Sequence, residues 1–134
     1  MYTEANTVIA LHIHGLRSRQ YIWQRIIMAV VLYQTLFSLL RLQGYFNVYA
    51  GVGLPNKKSE SFHQALGFEE IGIFKKVGYK LGNWHDTRWF QLHLANHPQN
   101  PPFPQKLADV KNTDAFRHII EQANNQLNEI NSDK

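Results

Sequence analysis

Residues 47–94 constrain the fold of this chain more than any other stretch. In residues 47–52, Val and Ala alternate with Asn, Tyr and Gly, a period that predicts a β-strand. Residues 54–59 combine a proline breaker with cap-type side chains and predict the start of a short helix. Gly67 closes this helix, because glycine readily adopts the left-handed conformation, and Phe68 can then fold back onto the last turn.

Further elements are predicted on both sides of this helix. Residues 69–77 and 84–94 read as two strands joined by a glycine-punctuated turn, which predicts an antiparallel pair. Upstream, residues 30–43 predict a core helix that ends at Gly44. Its expected buried stripe consists of Leu32, Leu36, Leu39 and Leu40, widened by Tyr33 and Phe37.

The C-terminal part has a different character. Residues 96–105 contain four of the five prolines and predict an extended, exposed connection. From Asp114 to about Asn131 the apolar spacing is helical, with Thr113 or Asn112 as the cap.

Composition excludes several classes of protein. A chain of 134 residues with 44% hydrophobic and 18% charged residues fits one globular domain rather than a disordered chain. The absence of cysteine excludes disulfides, thiolate metal sites and a cysteine nucleophile. Histidines such as His12, His14, His85, His93 and His97 lack a third ligand at a recognisable spacing, so no metal site is predicted.

Charge and hydropathy set expectations about location and partners. No signal-peptide pattern opens the chain, so we expect a cytoplasmic protein. The apolar window 26–42 is shorter than the roughly 20 residues of a spanning helix, so we expect no membrane partner. A net charge of +4 permits an anionic ligand, but the basic residues match no nucleic-acid recognition motif. Arg17, Arg19 and Arg25 could contact phosphate or simply form a solvated face.

Two motifs resemble a known family. The pattern Asn56-x-x-Ser59-x-x-Phe62-His63-x-x-x-Gly67-Phe68 resembles a cofactor-side motif of the GNAT N-acetyltransferase superfamily. Residues 77–86, Val-Gly-Tyr-Lys-Leu-Gly-Asn-Trp-His-Asp, resemble the signature of its phosphinothricin (bialaphos) acetyltransferase branch. With residues 43–45, 53–56 and 89–92, the likeness extends from about residue 27 to residue 110.

The resemblance implies a fold, a reaction and a domain plan. The fold would be α/β, with a GNAT-like mixed β-sheet flanked by helices and incomplete on its N-terminal side. The reaction would transfer acetyl from acetyl-CoA to the primary amine of a small amino-acid-like substrate of the phosphinothricin type. Residues 1–94 would form the partial acetyltransferase domain, 95–111 a proline-rich connection, and 112–134 a C-terminal helix and tail. A homodimer is one possible assembly.

The resemblance also assigns cofactor-side residues. Six residues occupy the place of the family's pyrophosphate loop: Gln24, Arg25, Ile26, Ile27, Met28 and Ala29. Ile27 replaces the central glycine of that loop, and its branched side chain disfavours positive φ. Asn56 would hydrogen-bond the pantetheine arm or an ordered water, and it could also be an ordinary N-cap.

Catalytic and substrate-side roles follow from the same resemblance. His63 stands where the family carries the acid that protonates the departing thiolate, although it could also be a surface histidine of an amphipathic helix. Lys80, Trp84 and Asp86 would shape the substrate side, while Lys80 and Asp86 could equally form a solvated ion pair.

Three departures from the family support a rival hypothesis. Only about 25 residues precede the loop position, His14 falls where the catalytic glutamate is expected, and Ile27 interrupts the loop. The rival is a catalytically inactive remnant, either a binding or dimerising module or a chain without function.

Overall fold

The computed structural model describes residues 17–132, which form four helices and three strands. In chain order these are α1 (Arg17–Gln43), β1 (Asn47–Gly53), α2 (Lys57–Ala65), β2 (Glu69–Lys80), β3 (Asn83–His93), α3 (Leu107–Val110) and α4 (Asp114–Ser132). The described residues combine helices with a β-sheet, which confirms the predicted α/β class. The three predicted strands are present as β1, β2 and β3, and the predicted short helix is present as α2.

The three strands form one sheet in the order β1-β3-β2, and β3 pairs with both neighbours in antiparallel register. The predicted antiparallel pair is therefore confirmed as β2 and β3. Phe90 of β3 faces Ala50 of β1, and Trp89 lies between Gly51 of β1 and Gly72 of β2. A Cβ atom at Gly51 would lie 3.2 Å from the Trp89 ring, so glycine leaves room for the indole.

The hairpin between β2 and β3 has a tight tip and two register shifts, one of them between Glu70 and Gly72. Its tip is the two-residue turn Leu81-Gly82, and both residues have positive φ (53° and 80°), as a type I′ turn requires. Farther from the tip the register shifts between Phe74 and Gly78, and Lys76 has a φ of 50°. This bulge was not predicted from the sequence.

Helix α1 begins earlier than the sequence pattern indicates. It starts at Arg17 rather than near residue 30, and it ends, as predicted, before Gly44, whose φ is +90°. The amides of Gly44 and Tyr45 donate to the carbonyls of Arg41 and Leu40, both at 3.0 Å, which forms a Schellman ending.

The buried stripe of α1 differs from the predicted one. Leu32 and Leu36 are 57% and 46% exposed, whereas Val30 and Val31, which lie outside the predicted stripe, are buried. Phe37 is buried as predicted. The leucine prediction is wrong for Leu32 and Leu36 because apolar residues lie on several faces of this helix, so their spacing does not identify the buried side.

Helix α1 is also longer than the apolar window considered in the sequence. Residues Tyr21–Gln43 contain an 18-residue window with a mean hydropathy of 1.6, long and apolar enough to cross a membrane by length and composition alone. The core helix of a soluble protein passes the same test, so this property is weak evidence for a membrane span.

The chain divides into two compact units. One comprises residues 1–45 and 99–134, as far as they are described, and the other comprises Phe46–Pro98. In the first unit, the Gln105 amide donates to the Gln43 carbonyl (2.7 Å), and the Gln43 side-chain amide donates to the Gln105 carbonyl (3.0 Å). Helix α4 starts at a Thr113 cap, whose hydroxyl accepts from the Phe116 amide, as predicted.

The second unit contains the sheet and α2. Its most buried side chains are Phe90, Val52 and Phe68, with exposures of 0%, 3% and 4%. The interior of this unit therefore lies between α2, the residues that follow it, and one face of the sheet.

Candidate functional site

Asn56 starts helix α2. Its side-chain oxygen accepts a hydrogen bond from the Ser59 amide at 3.2 Å, and its backbone is outside the helical region (φ −153°, ψ 70°). The N-cap prediction is therefore confirmed. Because the cap uses only the side-chain oxygen, the exposed Asn56 amide nitrogen is the group that could donate to a ligand.

Gly67 ends α2 in the predicted way. With φ at +93°, its amide donates to the Gln64 carbonyl (3.0 Å), and the Phe68 amide donates to the His63 carbonyl (3.1 Å). These two bonds define a Schellman motif. The motif turns Phe68 back so that its ring centroid lies 5.3 Å from that of His63.

His63 is half-buried among aromatic rings. Its imidazole stacks on Phe90 (6.1 Å between centroids, 14° between planes) and meets Phe62 and Phe68 edge to face. It is therefore a packed side chain and not a histidine on an open helical surface. These contacts fix the plane of the ring.

One ring nitrogen of His63 has a defined role. Nδ1 lies 2.8 Å from the Ser59 carbonyl oxygen and 3.5 Å from the Ser59 hydroxyl. Because a carbonyl oxygen only accepts, Nδ1 must carry the proton that it donates to this group. A second proton on this ring would have to reside on Nε2.

Glu60 and Arg88 connect α2 to β3, and sequence reasoning missed both. Glu60 is 6% exposed, and its carboxylate accepts from Arg88 Nη1 at 2.5 Å. Arg88 Nε lies 3.4 Å from a Glu70 carboxylate oxygen, but its geometry is not that of a hydrogen bond. A signal was available, since Arg88 alternates with Asp86 and Phe90 on one face of β3, and a cation beside a buried aromatic residue requires an anion.

The predicted substrate-side residues lie toward the tip of the β2–β3 hairpin. Asp86 accepts from Lys75 Nζ (3.1 Å) and from the backbone amide of Lys76 (2.8 Å). The alternative reading, an ion pair between Lys80 and Asp86, is wrong, because the bulge brings Lys75 and Lys76 to the carboxylate instead. The hydrogen bond from the Lys76 amide, followed by that from Lys75, lowers the pKa of Asp86 below its ordinary 3.8.

Trp84 and Lys80 are exposed near this carboxylate. Trp84 is 61% exposed and meets the Tyr79 ring edge to face at 5.3 Å. Next to it, His85 places its two ring nitrogens 3.1 Å from the carbonyl oxygens of Leu54 and Lys80.

The expected pyrophosphate loop is not a loop. Residues 24–29 lie inside α1, so the prediction of loop conformation for Gln24, Arg25, Ile26, Ile27, Met28 and Ala29 is wrong. No glycine interrupts this segment, and its apolar residues continue the helix. In a helix interior the backbone amides already donate to carbonyls four residues earlier, so they cannot cradle a phosphate.

The side chains of this segment lie in the first unit. Arg25 is exposed, with its guanidinium carbon 5.9 Å from the centre of the Tyr21 ring, and Gln24 approaches the Ile130 carbonyl at 3.5 Å. His12, His14 and the side chains of Arg17 and Arg19 lie outside the described part of the chain.

Histidines of the second unit also lie close together. His93 Nδ1 and His97 Nε2 each lie 3.0 Å from the Asn47 side-chain oxygen. Within residues 17–132, no group of three or more histidine or acidic side chains is arranged to hold a metal ion.

The structure thus places the predicted site residues in separate groups. Asn56 and His63 share α2 and are connected through Ser59, which donates its amide to one and offers its carbonyl to the other. Lys80, Trp84 and Asp86 share the hairpin in the same unit. Gln24–Ala29 belong to the other unit.

Sequence comparisons identify relatives of the chain. A phosphinothricin N-acetyltransferase of Streptomyces viridochromogenes is 36% identical over 104 residues, covering 75% of this chain and 52% of that protein. An L-methionine sulfoximine/L-methionine sulfone acetyltransferase of Pseudomonas paraeruginosa is 37% identical over 67 residues, covering 50% of this chain and 39% of the relative. The chain therefore spans about half the length, or less, of these curated relatives.

Structural comparison finds partial similarity. The structure of yncA from Salmonella typhimurium with its cofactor acetyl-CoA is 34% identical and has a TM-score of 0.43, with 46% of this chain and 35% of that chain covered. Family assignment comes from a sequence model described as the acetyltransferase (GNAT) domain, which matches residues 15–89, more than half of the chain. The chain belongs to the GNAT acetyltransferase family.

Proposed function

We propose that this chain is the cofactor-side part of an acetyl-CoA-dependent N-acetyltransferase. The acceptor would be the primary amine of a small amino-acid-like compound. Family membership and the names of the relatives support this proposal. The single observation that carries it is helix α2, where Asn56, His63 and Gly67 have the local structure that the family motif requires.

The residues of α2 fit one part of the cofactor. The exposed amide nitrogen of Asn56 can donate to a carbonyl of the pantetheine arm while its oxygen continues to cap the helix. Residues 24–29 do not fit as a backbone cradle for the pyrophosphate, because their amides belong to α1. Contacts from Gln24 and Arg25 side chains to the cofactor stay predictions of the resemblance.

The proton chemistry would centre on His63. Acetyl-CoA, when bound, supplies the acetyl group as a reactive thioester. His63 holds one proton at Nδ1, which donates to the Ser59 carbonyl, so a proton delivered by this residue must come from Nε2. Contacts with Phe68 and Phe90 fix the plane of this ring.

The hairpin supplies candidates for substrate binding. Lys80 is exposed and offers a positive charge to the carboxylate of an amino-acid-like substrate, and exposed Trp84 offers an apolar surface. Asp86 would act indirectly by holding the bulge in place, since its carboxylate already accepts from Lys75 and Lys76.

The proposal also includes a second copy of this chain as partner and a cytoplasmic location. It includes no nucleic-acid partner and no membrane partner. Sedimentation across a range of protein concentrations would test the dimer. A dimer would show a concentration-dependent increase in mass.

Isothermal titration of acetyl-CoA into the purified chain tests the proposed function. We expect micromolar binding that is weakened in Asn56→Ala and in Asn56→Ser. The serine variant is the matched control, because a serine hydroxyl caps a helix about as well as asparagine but lacks the amide donor. Normal binding by Asn56→Ser and weak binding by Asn56→Ala would limit Asn56 to capping.

Turnover is tested by thiol release from acetyl-CoA with phosphinothricin and with L-methionine sulfoximine as acceptors. Release that depends on the acceptor supports the enzyme. A folded chain that neither binds acetyl-CoA nor releases thiol would overturn the proposed function and favour the inactive remnant.

A further inference from the structure

We propose that Glu60 and Arg88 are positioning residues for His63. Their ion pair would fix the rotation of α2 about its own axis against β3, and this rotation determines where the His63 imidazole points. The importance of that direction for catalysis rests on the proposed function, but the positioning itself does not.

The spacing of the contacts supports this role. Glu60 and His63 are three residues apart on α2 and therefore share one helical face. Arg88 and Phe90 are two residues apart on β3 and therefore share one face of the sheet. Glu60 contacts Arg88, and His63 stacks on Phe90, so two adjacent contacts join the same faces of the two elements.

The two contacts differ in how strongly they resist rotation. Ring stacking between His63 and Phe90 fixes the plane of the imidazole, but it carries no charge that a rotation of α2 would leave unpaired. The Glu60 carboxylate is buried and charge-paired, so turning it away from Arg88 would leave an uncompensated charge in the interior. The ion pair is therefore the contact that selects one rotation.

Arg88 is itself held on both sides. Its Nη1 donates to Glu60, and its Nε faces the half-exposed Glu70 at 3.4 Å without hydrogen-bond geometry. Glu70 therefore provides a matched control: it is a carboxylate beside the same guanidinium, but it lies on β2 rather than on α2.

The first experiment measures the His63 ring directly. NMR spectra of the full chain, labelled at histidine, would be compared for wild type, Glu60→Gln and Glu70→Gln. The glutamine at position 60 keeps the shape of glutamate and removes its charge. We expect the His63 ring resonances, which are shifted by the Phe68 and Phe90 rings, to move in Glu60→Gln and to stay in place in Glu70→Gln.

The second experiment measures kinetics in the same variants. Loss of orientation should lower kcat in Glu60→Gln by about 10-fold to 100-fold, with KM for acetyl-CoA changed less than about twofold. Arg88→Lys keeps the positive charge and should recover part of the loss relative to Arg88→Ala. A purely structural role would lower the melting temperature without separating kcat from KM.

The outcomes separate the two proposals. Unmoved His63 resonances in a folded Glu60→Gln chain would overturn the positioning role, whatever the activity. Moved resonances in a chain whose wild type neither binds nor turns over acetyl-CoA would retain the positioning role and reject the proposed function. If Arg88→Ala fails to fold, Glu60→Gln and Arg88→Lys still decide the matter.

Discussion

Helix α2 and residues 24–29 both match cofactor motifs of the family, but only α2 has the local structure that its motif implies. In α2, Asn56 caps the start and Gly67 closes the end. Residues 24–29 form part of the interior of helix α1 instead of a loop. The two segments differ in the residues that control the backbone conformation.

Glycine explains much of this difference. Gly44 and Gly67 have φ of +90° and +93°, and each ends a helix with the same pair of hydrogen bonds. Residues 24–29 contain no glycine, and Ile27 stands where the loop needs one. A motif match therefore predicts local structure only where the residues that control the backbone are retained.

The largest effect should come from Phe90→Ala. This variant tests whether the stability of the second unit depends on the face of the sheet that packs against α2. Phe90 is fully buried and stacks on His63, so its removal should lower the free energy of unfolding by about 3–5 kcal/mol. Urea denaturation provides the measurement. Leu32→Ala in α1 is the control and should cost much less, because Leu32 is 57% exposed. Equal losses in the two variants would contradict the assigned burial.

The next effect compares the two motif segments in catalysis. If the proposed function holds, His63→Ala should lower kcat by about 100-fold, because it removes the proton donor. Arg25→Ala should raise KM for acetyl-CoA only a few-fold, because an exposed side chain contributes modestly to phosphate binding. Steady-state thiol release measures both. A larger loss in Arg25→Ala would return the main cofactor role to residues 24–29.

Much of the second unit could be predicted from the sequence. The strands follow from the period of the apolar residues. The Asn56 cap and the Gly67 ending follow from cap chemistry and glycine conformation. All of these signals act within a few residues. In the first unit, Thr113 was predicted in the same way, since its hydroxyl caps α4 as expected. Local signals were sufficient for these features.

Features that depend on distant residues were not predicted. Glu60 and Arg88 are 28 residues apart, and their pairing follows from the placement of α2 on the sheet. Asp86 pairs with Lys75 instead of Lys80 because the register shifts between Phe74 and Gly78. The exposure of Leu32 likewise depends on tertiary packing.

A smaller effect is expected from Ile27→Gly, which asks whether restoring the loop glycine restores the loop. Glycine should lower the free energy of unfolding by about 1 kcal/mol relative to Ile27→Ala, because it weakens the interior of α1. Circular dichroism would follow helix content during thermal unfolding. Acetyl-CoA affinity should not improve, because neighbouring amides remain bonded within the helix. Tighter binding by Ile27→Gly, with loss of helix, would show that this segment can act as the cofactor loop.

The smallest effect should come from Asp86→Asn in the hairpin. The Asp86 carboxylate accepts from the Lys76 amide and from Lys75, and these contacts lower its pKa in the folded state. A lowered pKa means that the stabilisation is complete above the ordinary value of 3.8 and is lost as the pH falls through the folded-state value.

The difference in melting temperature between wild type and Asp86→Asn should therefore be small at about pH 7 and should shrink at about pH 3. Lys75→Gln should cost less than Asp86→Asn at neutral pH, because the Lys76 amide remains bonded and is the larger cause of the shift. A difference that grows with acidification would have the wrong sign, and it would mean that Asp86 is stabilised as the neutral acid. Such a carboxyl could donate a proton, and the hairpin would then join α2 as a candidate for acid catalysis.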